Sequence, residues 1–388
     1  MAHTVLQRPQ RRGLPPQGPR QRRSRRRRTR RRTLRVLAGI LLIGLCLSTA
    51  SYVRALTYPG QATWQQRSIS WLRDHGGSPI VNRAENWYYT RHAPATSPPD
   101  PASLPTTMAT TATPMGGPHG LPALSGLPGE GAWVPGRTGR GGQPAAYTTF
   151  FQPDPAHASV VAGAAWIRAG ATTAHLVAGT TQPGGNGWPG NAQVPPTAVP
   201  HLVAVFNSGF KMNDIIGGYY SHGRTAKPLR TGQASLVIND HGAASVGQWG
   251  RDLTMNSHIV SVRQNLALIV DGARPVHGLT ANTDQRWGSA ANQLQYTWRS
   301  GIGTDTAGNL IYVAGDKLTL ATLAHALVDA GAVTGMQLDI HPGMAFYTGW
   351  TPSQTMGVQP SKLLPTMPGD PARYLSPDQR DFLYLTVG

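Results

Sequence analysis

The chain has 388 residues and a formal charge of +18, from 35 basic and 17 acidic side chains. Fourteen arginines and no acid fall in residues 1–35, which leaves about +4 for the rest of the chain, an ordinary value for a soluble domain; the basicity belongs to a tail and argues against a nucleic-acid-binding domain. The single cysteine, Cys46, excludes an intramolecular disulfide, so any folded part depends on its packed core alone.

The arginine-rich tail, residues 1–35, leads into residues 36–53, an uncharged apolar run of about 18 residues flanked by Arg35 and Arg54. This length is near the minimum for a transmembrane helix. Because cytoplasmic flanks are rich in Lys and Arg, the expected topology is single-pass in the cell membrane, with the N-terminus cytoplasmic and the C-terminal domain extracytoplasmic. Anionic lipids are the expected partners of the tail. Two processed alternatives stay open: Ser48-Thr49-Ala50 suits a signal peptidase, and Arg30-Arg31-Arg32 is similar to a twin-arginine signal. Cys46 lies inside the span after Leu45, a poor match to a lipoprotein cleavage site, and is expected to be inert.

Residues 54–91 carry Trp64, Ile69, Trp71, Leu72, Ile80, Val81, Trp87 and Tyr88 at loosely helical spacings, which predicts a membrane-proximal helical segment. Core packing is the expected use of these aromatics, and an interfacial contact the alternative. Residues 92–145 are rich in Pro, Ala, Thr and Gly and read as a semi-extended linker. From 146 to 388 short β-rich runs alternate with turns, with strands predicted at 159–167, 173–178, 202–206, 234–238, 266–270 and 309–313. Thr319–Ala330 has a Thr start, an apolar stripe at Leu320, Leu323, Leu327 and Val328, and Gly331 as a stop, and is the clearest helix. A strand at 333–339 then delivers Gln337, Asp339 and His341 to one place. Several strands with one convincing helix predict an α+β fold.

Three stretches carry a resemblance. Ala204–Gly217 (AVFNSGFKMNDIIG) presents Asn207 and Gly209, an amide with donor and acceptor at a strand end and a glycine that permits close backbone approach. Taken alone, Asn-Ser-Gly is also a common turn composition. Arg299–Gly315 (RSGIGTDTAGNLIYVAG) presents Arg299, a planar fork suited to two phosphate oxygens, and Asp305. A structural Arg paired with an acid, and an Asp that organises the turn before Gly308, are the plain alternatives. Leu320–Asp339 combines the helix, a Gly-Ala connection and a strand ending in Leu-Asp. In this order, from about Thr149 to the C-terminus, they resemble the phosphodiester glycosidase family, that of the uncovering enzyme N-acetylglucosamine-1-phosphodiester alpha-N-acetylglucosaminidase. Asn207 and Gly209 match that family's Asn-x-Gly-Phe segment, and Arg299, Gly301, Gly303 and Asp305 fall in register with its Arg-Thr-Ala-Ile-Gly-x-Asp segment, Gly301 standing at the Ala. After Asp339 the family continues Gly-Gly-Gly-Ser, whereas this chain reads Ile340-His341-Pro342-Gly343. A fourth stretch, Ser261–Gly272, resembles the family's middle strand; its Arg263, Gln264 and Asn265 face either a polar ligand or a strand edge.

The resemblance implies a mixed-sheet domain that hydrolyses sugar-1-phosphodiester bonds, with a sugar-phosphate or envelope glycan as ligand. Arg299 is expected to hold the phosphate, Asn207, Gly209 and Asp305 to bind substrate, and Asp339 to act as nucleophile or acid/base, assisted by His341 near neutral pH. The aromatics of Gly217–Gly223 suit a sugar ring, or form only a surface loop. The histidines show no zinc-binding pattern and no glycine-rich phosphate loop is present, so no cofactor is expected; a divalent cation on Asp305, Asp339 and His341 stays open. The rival reading is a catalytically silent binding module of the same fold, and a weaker third one an exported scaffold.

Overall fold

The computed structural model describes residues 19–58, 60, 62–106, 117–121, 126–139, 141–281, 285–288, 292–353, 355 and 357–388, with side chains from Arg32 onward. The chain divides into two units, Met1–Tyr58 and Pro59–Gly388. In the first, α1 (Pro19–Thr57) is one continuous helix, and its part Arg32–Thr57 is long and apolar enough to cross a membrane, enclosing the run at 36–53. The start of the arginine tail, residues 1–18, lies outside the described residues.

The second unit is α+β. Its helices are α2 (Trp64–Leu72), α3 (Ser78–Arg91) and α4 (Leu320–Asp329). Its strands are β1 (Val134–Pro135), β2 (Ala146–Phe151), β3 (Ala162–Ile167), β4 (Thr172–Val177), β5 (Leu202–Asn207), β6 (Tyr219–Ser221), β7 (Arg224–Lys227), β8 (Ala234–Asn239) and β9 (Ala244–Gln248). They continue with β10 (Ile259–Gln264), β11 (Leu268–Asp271), β12 (Arg274–Pro275), β13 (Thr297–Thr304), β14 (Leu310–Leu318), β15 (Thr334–Ile340), β16 (Tyr347–Ser353), β17 (Gly357–Lys362) and β18 (Phe382–Val387). Three sheets result, ordered β1-β2-β3-β14-β13-β15-β11-β12, β7-β6-β10-β8-β9 and β17-β16-β5-β18-β4. Where a mixed sheet was expected, every pairing between these strands is antiparallel, and the parallel contact among the described residues is the isolated bridge Trp249–Leu253.

Helix α4 follows its sequence pattern. Thr319 accepts a hydrogen bond from the Thr322 N–H (3.1 Å), and Leu320, Leu323, Ala324, Ala326 and Leu327 are buried against the largest sheet. Gly331 ends it at φ +97°. The helix lies this close because β13 carries Gly301, where a Cβ would stand 2.9 Å from Leu327 Cδ1. Between sheets the core is aromatic: Phe206 of β5, Tyr312 of β14 and Tyr347 of β16 pack with ring centroids 5.1–6.0 Å apart.

Residues 92–145, expected as a free spacer, are in part docked. Ser159 donates its N–H and Oγ to the Ala95 carbonyl (3.3 and 2.8 Å), Leu121 and Trp133 are buried in the main core, and β1 pairs with β2. A Pro- and Gly-rich chain forms few ladders, but single apolar side chains such as Trp133 still remove their surface from water. Residues 107–116, 122–125 and 140 of this stretch lie outside the described residues.

One buried ion pair braces β10 against the start of β18. Arg263 Nε meets Asp381 Oδ2 at 2.7 Å, with both side chains at most 1% exposed, and its other nitrogens donate to the carbonyls of Gln264 and Phe210. Removing one partner strands the other charge in the core. Arg263→Met is therefore expected to lower unfolding stability by about 3–5 kcal/mol, and the double change Arg263→Met/Asp381→Leu to recover most of it. Urea unfolding of the full chain in detergent reads both; a single-variant loss below about 1 kcal/mol contradicts the assignment.

Candidate active site

At the end of β15 the sheet opens into a cleft of about 600 Å³, with Asp339 and His341 in its lining. A smaller space of about 70 Å³ adjoins it and shares Lys211 and Arg380. The floor is built from strand ends and one wall from α2 and α3.

Asn207 sets the floor. Its Oδ1 accepts from Tyr312 Oη (2.8 Å) and the Phe346 N–H (2.9 Å), and its Nδ2 donates to the Ser208 carbonyl (2.8 Å) and Ser300 Oγ (3.0 Å). Ser300 Oγ donates in turn to the Asp339 carbonyl (2.8 Å), and the Asp339 N–H donates to the Ser208 carbonyl (3.2 Å). An amide with this many internal partners is fully engaged. Asn207, expected to bind substrate, instead fixes the backbone that carries Asp339.

Gly209 has a related role. A Cβ there would meet Asn265 Cγ at 3.0 Å and Arg263 Cζ at 3.3 Å, so the glycine admits these buried side chains instead of a ligand. Its carbonyl accepts from Arg380 Nη2 (3.0 Å). Arg263, Gln264 and Asn265 are all buried and brace loops: Gln264 bonds Gly218, Arg230 and Ser235, and Asn265 bonds Phe210 and Gln337. Tyr219 of the Gly217–Gly223 loop is buried against Trp188 instead of facing a sugar.

Arg299 corrects the expected phosphate binder. It is 1% exposed and absent from the cleft lining; Nε donates to the Leu318 carbonyl (2.8 Å) and Nη2 to the carbonyls of Asn292 and Gln295. Burial pushes its guanidinium down to about 9. Asp305 is also displaced from the site. β13 pairs with β15 so that Arg299 lies beside Ile340 and Thr304 beside Thr334, which puts Asp305 roughly 20 Å along the strand from the cleft end. There it accepts from the N–H groups of Ala307 and Asn309 (2.9 Å each), from Asn309 Nδ2 (2.7 Å) and from Trp166 Nε1 (3.2 Å), organising the turn before Gly308. Asp305, Asp339 and His341 thus do not converge on a cation, and no group of three metal-ligating side chains occurs among the described residues.

Asp339 is 6% exposed. Its Oδ2 accepts from Arg380 Nη2 at 2.6 Å and its Oδ1 from the Ile340 N–H at 2.9 Å. Burial pushes the carboxyl above the ordinary range, more strongly than Arg380 and the Ile340 N–H pull it down; Asp214, also in the lining, adds to the rise. No motif in the sequence singles out Arg380; the signal that points to it is Asp378-Gln379-Arg380-Asp381, four polar residues before an apolar strand. The Arg380 Nε is buried without a partner among the described residues.

His341 sits at φ +79°, in the left-handed region that few non-glycine residues occupy. Tyr89 stacks on its ring (5.3 Å), Nδ1 lies 3.2 Å from Thr297 Oγ1, and Nε2 lies 3.4 Å from Glu85 Oε2. Burial first, then the Arg73 and Arg299 cations, push its pKa down to about 3 despite the nearby carboxylate. The expected acid or base near neutral pH is therefore a neutral imidazole, suited to hydrogen bonding.

The sequence of the wall, residues 54–91, predicts a membrane-proximal segment packed by its aromatics. The wall is instead held to the floor by polar contacts. Gln66 Nε2 donates to the Pro342 carbonyl (2.8 Å), and Lys211 Nζ meets Ser70 Oγ (2.6 Å) and Asp74 Oδ1 (3.0 Å). Arg73 reaches Asn82 and Glu85, and the Tyr296 N–H donates to the Tyr89 carbonyl (3.2 Å). Gly343 sits at φ +78°, a conformation that favours glycine, and a Cβ there would lie 2.2 Å from Gln66 Nε2 and displace the end of that side chain.

No family model and no curated protein matches the chain. Among solved structures it is similar to the zebrafish N-acetylglucosamine-1-phosphodiester alpha-N-acetylglucosaminidase catalytic domain auto-inhibited by pro-peptide, at 14% identity and a TM-score of 0.41 over 65% of this chain and 87% of that one. It is also similar to a hypothetical protein from Synechocystis (13% identity, TM-score 0.33, 59% of each chain). A Burkholderia pseudomallei protein described as exported gives 10% identity and a TM-score of 0.32 over 59% of this chain and 74% of that one. The chemistry of the cleft rests on its side chains.

An acid whose folded pKa lies above its unfolded value favours the folded state while protonated and loses that contribution as pH rises. Wild-type stability is thus expected to fall relative to Asp339→Asn as pH climbs from the ordinary 3.8 through the raised value. Urea midpoints of both proteins at about pH 4 and pH 8 measure this; a constant difference contradicts a raised Asp339.

Proposed function

We propose that the chain is a membrane-anchored, extracytoplasmic hydrolase of sugar-1-phosphodiester bonds in envelope glycans or glycoconjugates. The observation that carries this reading is Asp339, a buried carboxyl with a raised pKa at the floor of a cleft that also presents the Arg380 and Lys211 cations. The sequence resemblance to phosphodiester glycosidases agrees with it.

In this mechanism the phosphate diester meets Arg380 and Lys211, whose charges offset that of the departing phosphate. Water adds to the anomeric carbon as the bond from that carbon to the phosphate oxygen breaks, and the phosphate monoester leaves. Asp339 holds its proton to higher pH than an ordinary carboxyl and suits the acid that gives a proton to this departing oxygen, while Asp214, the second carboxylate of the lining, takes the proton that the attacking water loses. Neutral His341 hydrogen-bonds a sugar hydroxyl. Asn207 positions Asp339 through Ser300 without touching substrate.

One observation favours a second reading, a silent phosphosugar-binding module: both Asp339 oxygens are engaged, beside a loop where Pro342 offers no N–H and Gln66 occupies its carbonyl. Turnover separates the two. The full chain in detergent, given a panel of sugar-1-phosphodiesters, is expected to hydrolyse at least one. Asp339→Asn should lower kcat by roughly 10²–10⁴-fold, while Asp305→Asn, about 20 Å away, should stay within about twofold. Binding without turnover across the panel would replace the hydrolase with the module.

A further inference from the structure

The outer face of α3 inverts the usual pattern of a surface helix. Its buried and half-buried positions include Asn82, Glu85 and Asn86, whose polar groups point to Arg73 and Gln295. Its exposed positions are Pro79, Ile80, Arg83, Ala84, Trp87, Tyr88, Thr90 and Arg91; Ile80, Arg83, Ala84, Trp87, Tyr88 and Arg91, spaced i, i+3, i+4, i+7, i+8 and i+11, form one helical stripe, with the uncharged Pro79 and Thr90 at its edge. Ile80 is 71% exposed, Trp87 57% and Tyr88 50%. The stripe holds two arginines and no acid, since Glu85, the one acidic residue of α3, faces inward. Arg91 lies over the Trp87 ring, 5.4 Å from its centre.

We propose that this face is a membrane-docking surface that seats in the headgroup region of an anionic bilayer. Trp and Tyr favour that region, because each pairs an apolar ring with a polar tip. Arg83 and Arg91 add attraction to anionic headgroups at the same depth. Apolar residues with flanking arginines on one stripe are the composition of an interfacial helix, and nothing on the stripe repels an anionic surface. The sequence also keeps a bilayer within reach. Only residues 58–63 separate Thr57, the last residue of the apolar helix, from Trp64, the first of α2, a tether of about 25 Å at full extension. The occupant is thus lipid, and the proposal is independent of the chemistry at Asp339.

The test uses the full chain in vesicles, with Cys46→Ser and one environment-sensitive dye at Ala84→Cys or, as reference, at His241→Cys, both exposed positions. The vesicles carry shallow nitroxide lipids and either about 30% phosphatidylglycerol or only phosphatidylcholine. The dye at 84 should be quenched at least about twofold more than that at 241, more strongly in the anionic vesicles, and Arg83→Glu/Arg91→Glu should remove most of the difference. Equal quenching at the two positions would overturn the proposal. So would a dye at 84 whose shielding follows protein density instead of lipid charge, which would make the occupant a second copy of the chain.

Discussion

The four hydrogen bonds of the Asn207 side chain are the constraint on which the site depends. They join β5 to Tyr312 of β14, to Ser300 of β13 and to the segment at Phe346, and Ser300 extends the link to the Asp339 carbonyl. In a low-dielectric core an amide missing even one partner is expensive, so this group tolerates few alternative arrangements of the strands around it. The same network fixes where β15 ends. Asp339 then stands at a cleft because its backbone is held on both sides, by Ser300 and by Ser208.

Rigidity on the floor contrasts with the wall. α2 has no buried residue and α3 has only Val81, so this pair contributes little apolar burial. Its hold comes from Lys211 with Asp74, Gln66 with Pro342, and Glu85 with His341. Contacts of this kind are individually weak and exchange with water, which places α2 and α3 at the low-stability end of the unit. The cleft therefore combines a fixed, buried carboxyl with one loosely held side.

Much of the fold was legible in the sequence because periodicity is local. The runs at 202–206, 234–238 and 333–339 became β5, β8 and β15 within a residue or two, and the Thr319 cap with its apolar stripe became α4. The site was legible only in part. Asp339 and His341 follow from lying at the end of a strand after a helix, and both line the cleft. Arg299 and Asp305 were read from their alignment with a motif, which does not reveal where a side chain points. Arg299 turns inward to carbonyls, and Asp305 satisfies its own turn. The cation beside Asp339 comes from Arg380, 41 residues away in sequence, through a pairing no local pattern announces. His341 has the residue type of a neutral-pH base, but burial and two neighbouring guanidiniums reverse that expectation. The docking of α2 and α3 was invisible because its contacts are polar and long-range, as in Gln66 to Pro342.

In the proposed mechanism a phosphosugar binds above Asp339 with Arg380 and Lys211 as its cations. The most direct measurement is an experimental structure of the chain with a sugar 1-phosphate. Phosphate oxygens are expected within about 3 Å of the Arg380 guanidinium and the Lys211 ammonium, with Asn207 and Arg299 keeping their present partners. A phosphate on Arg299 or on the Asn207 amide, or one bound outside the cleft, would contradict it.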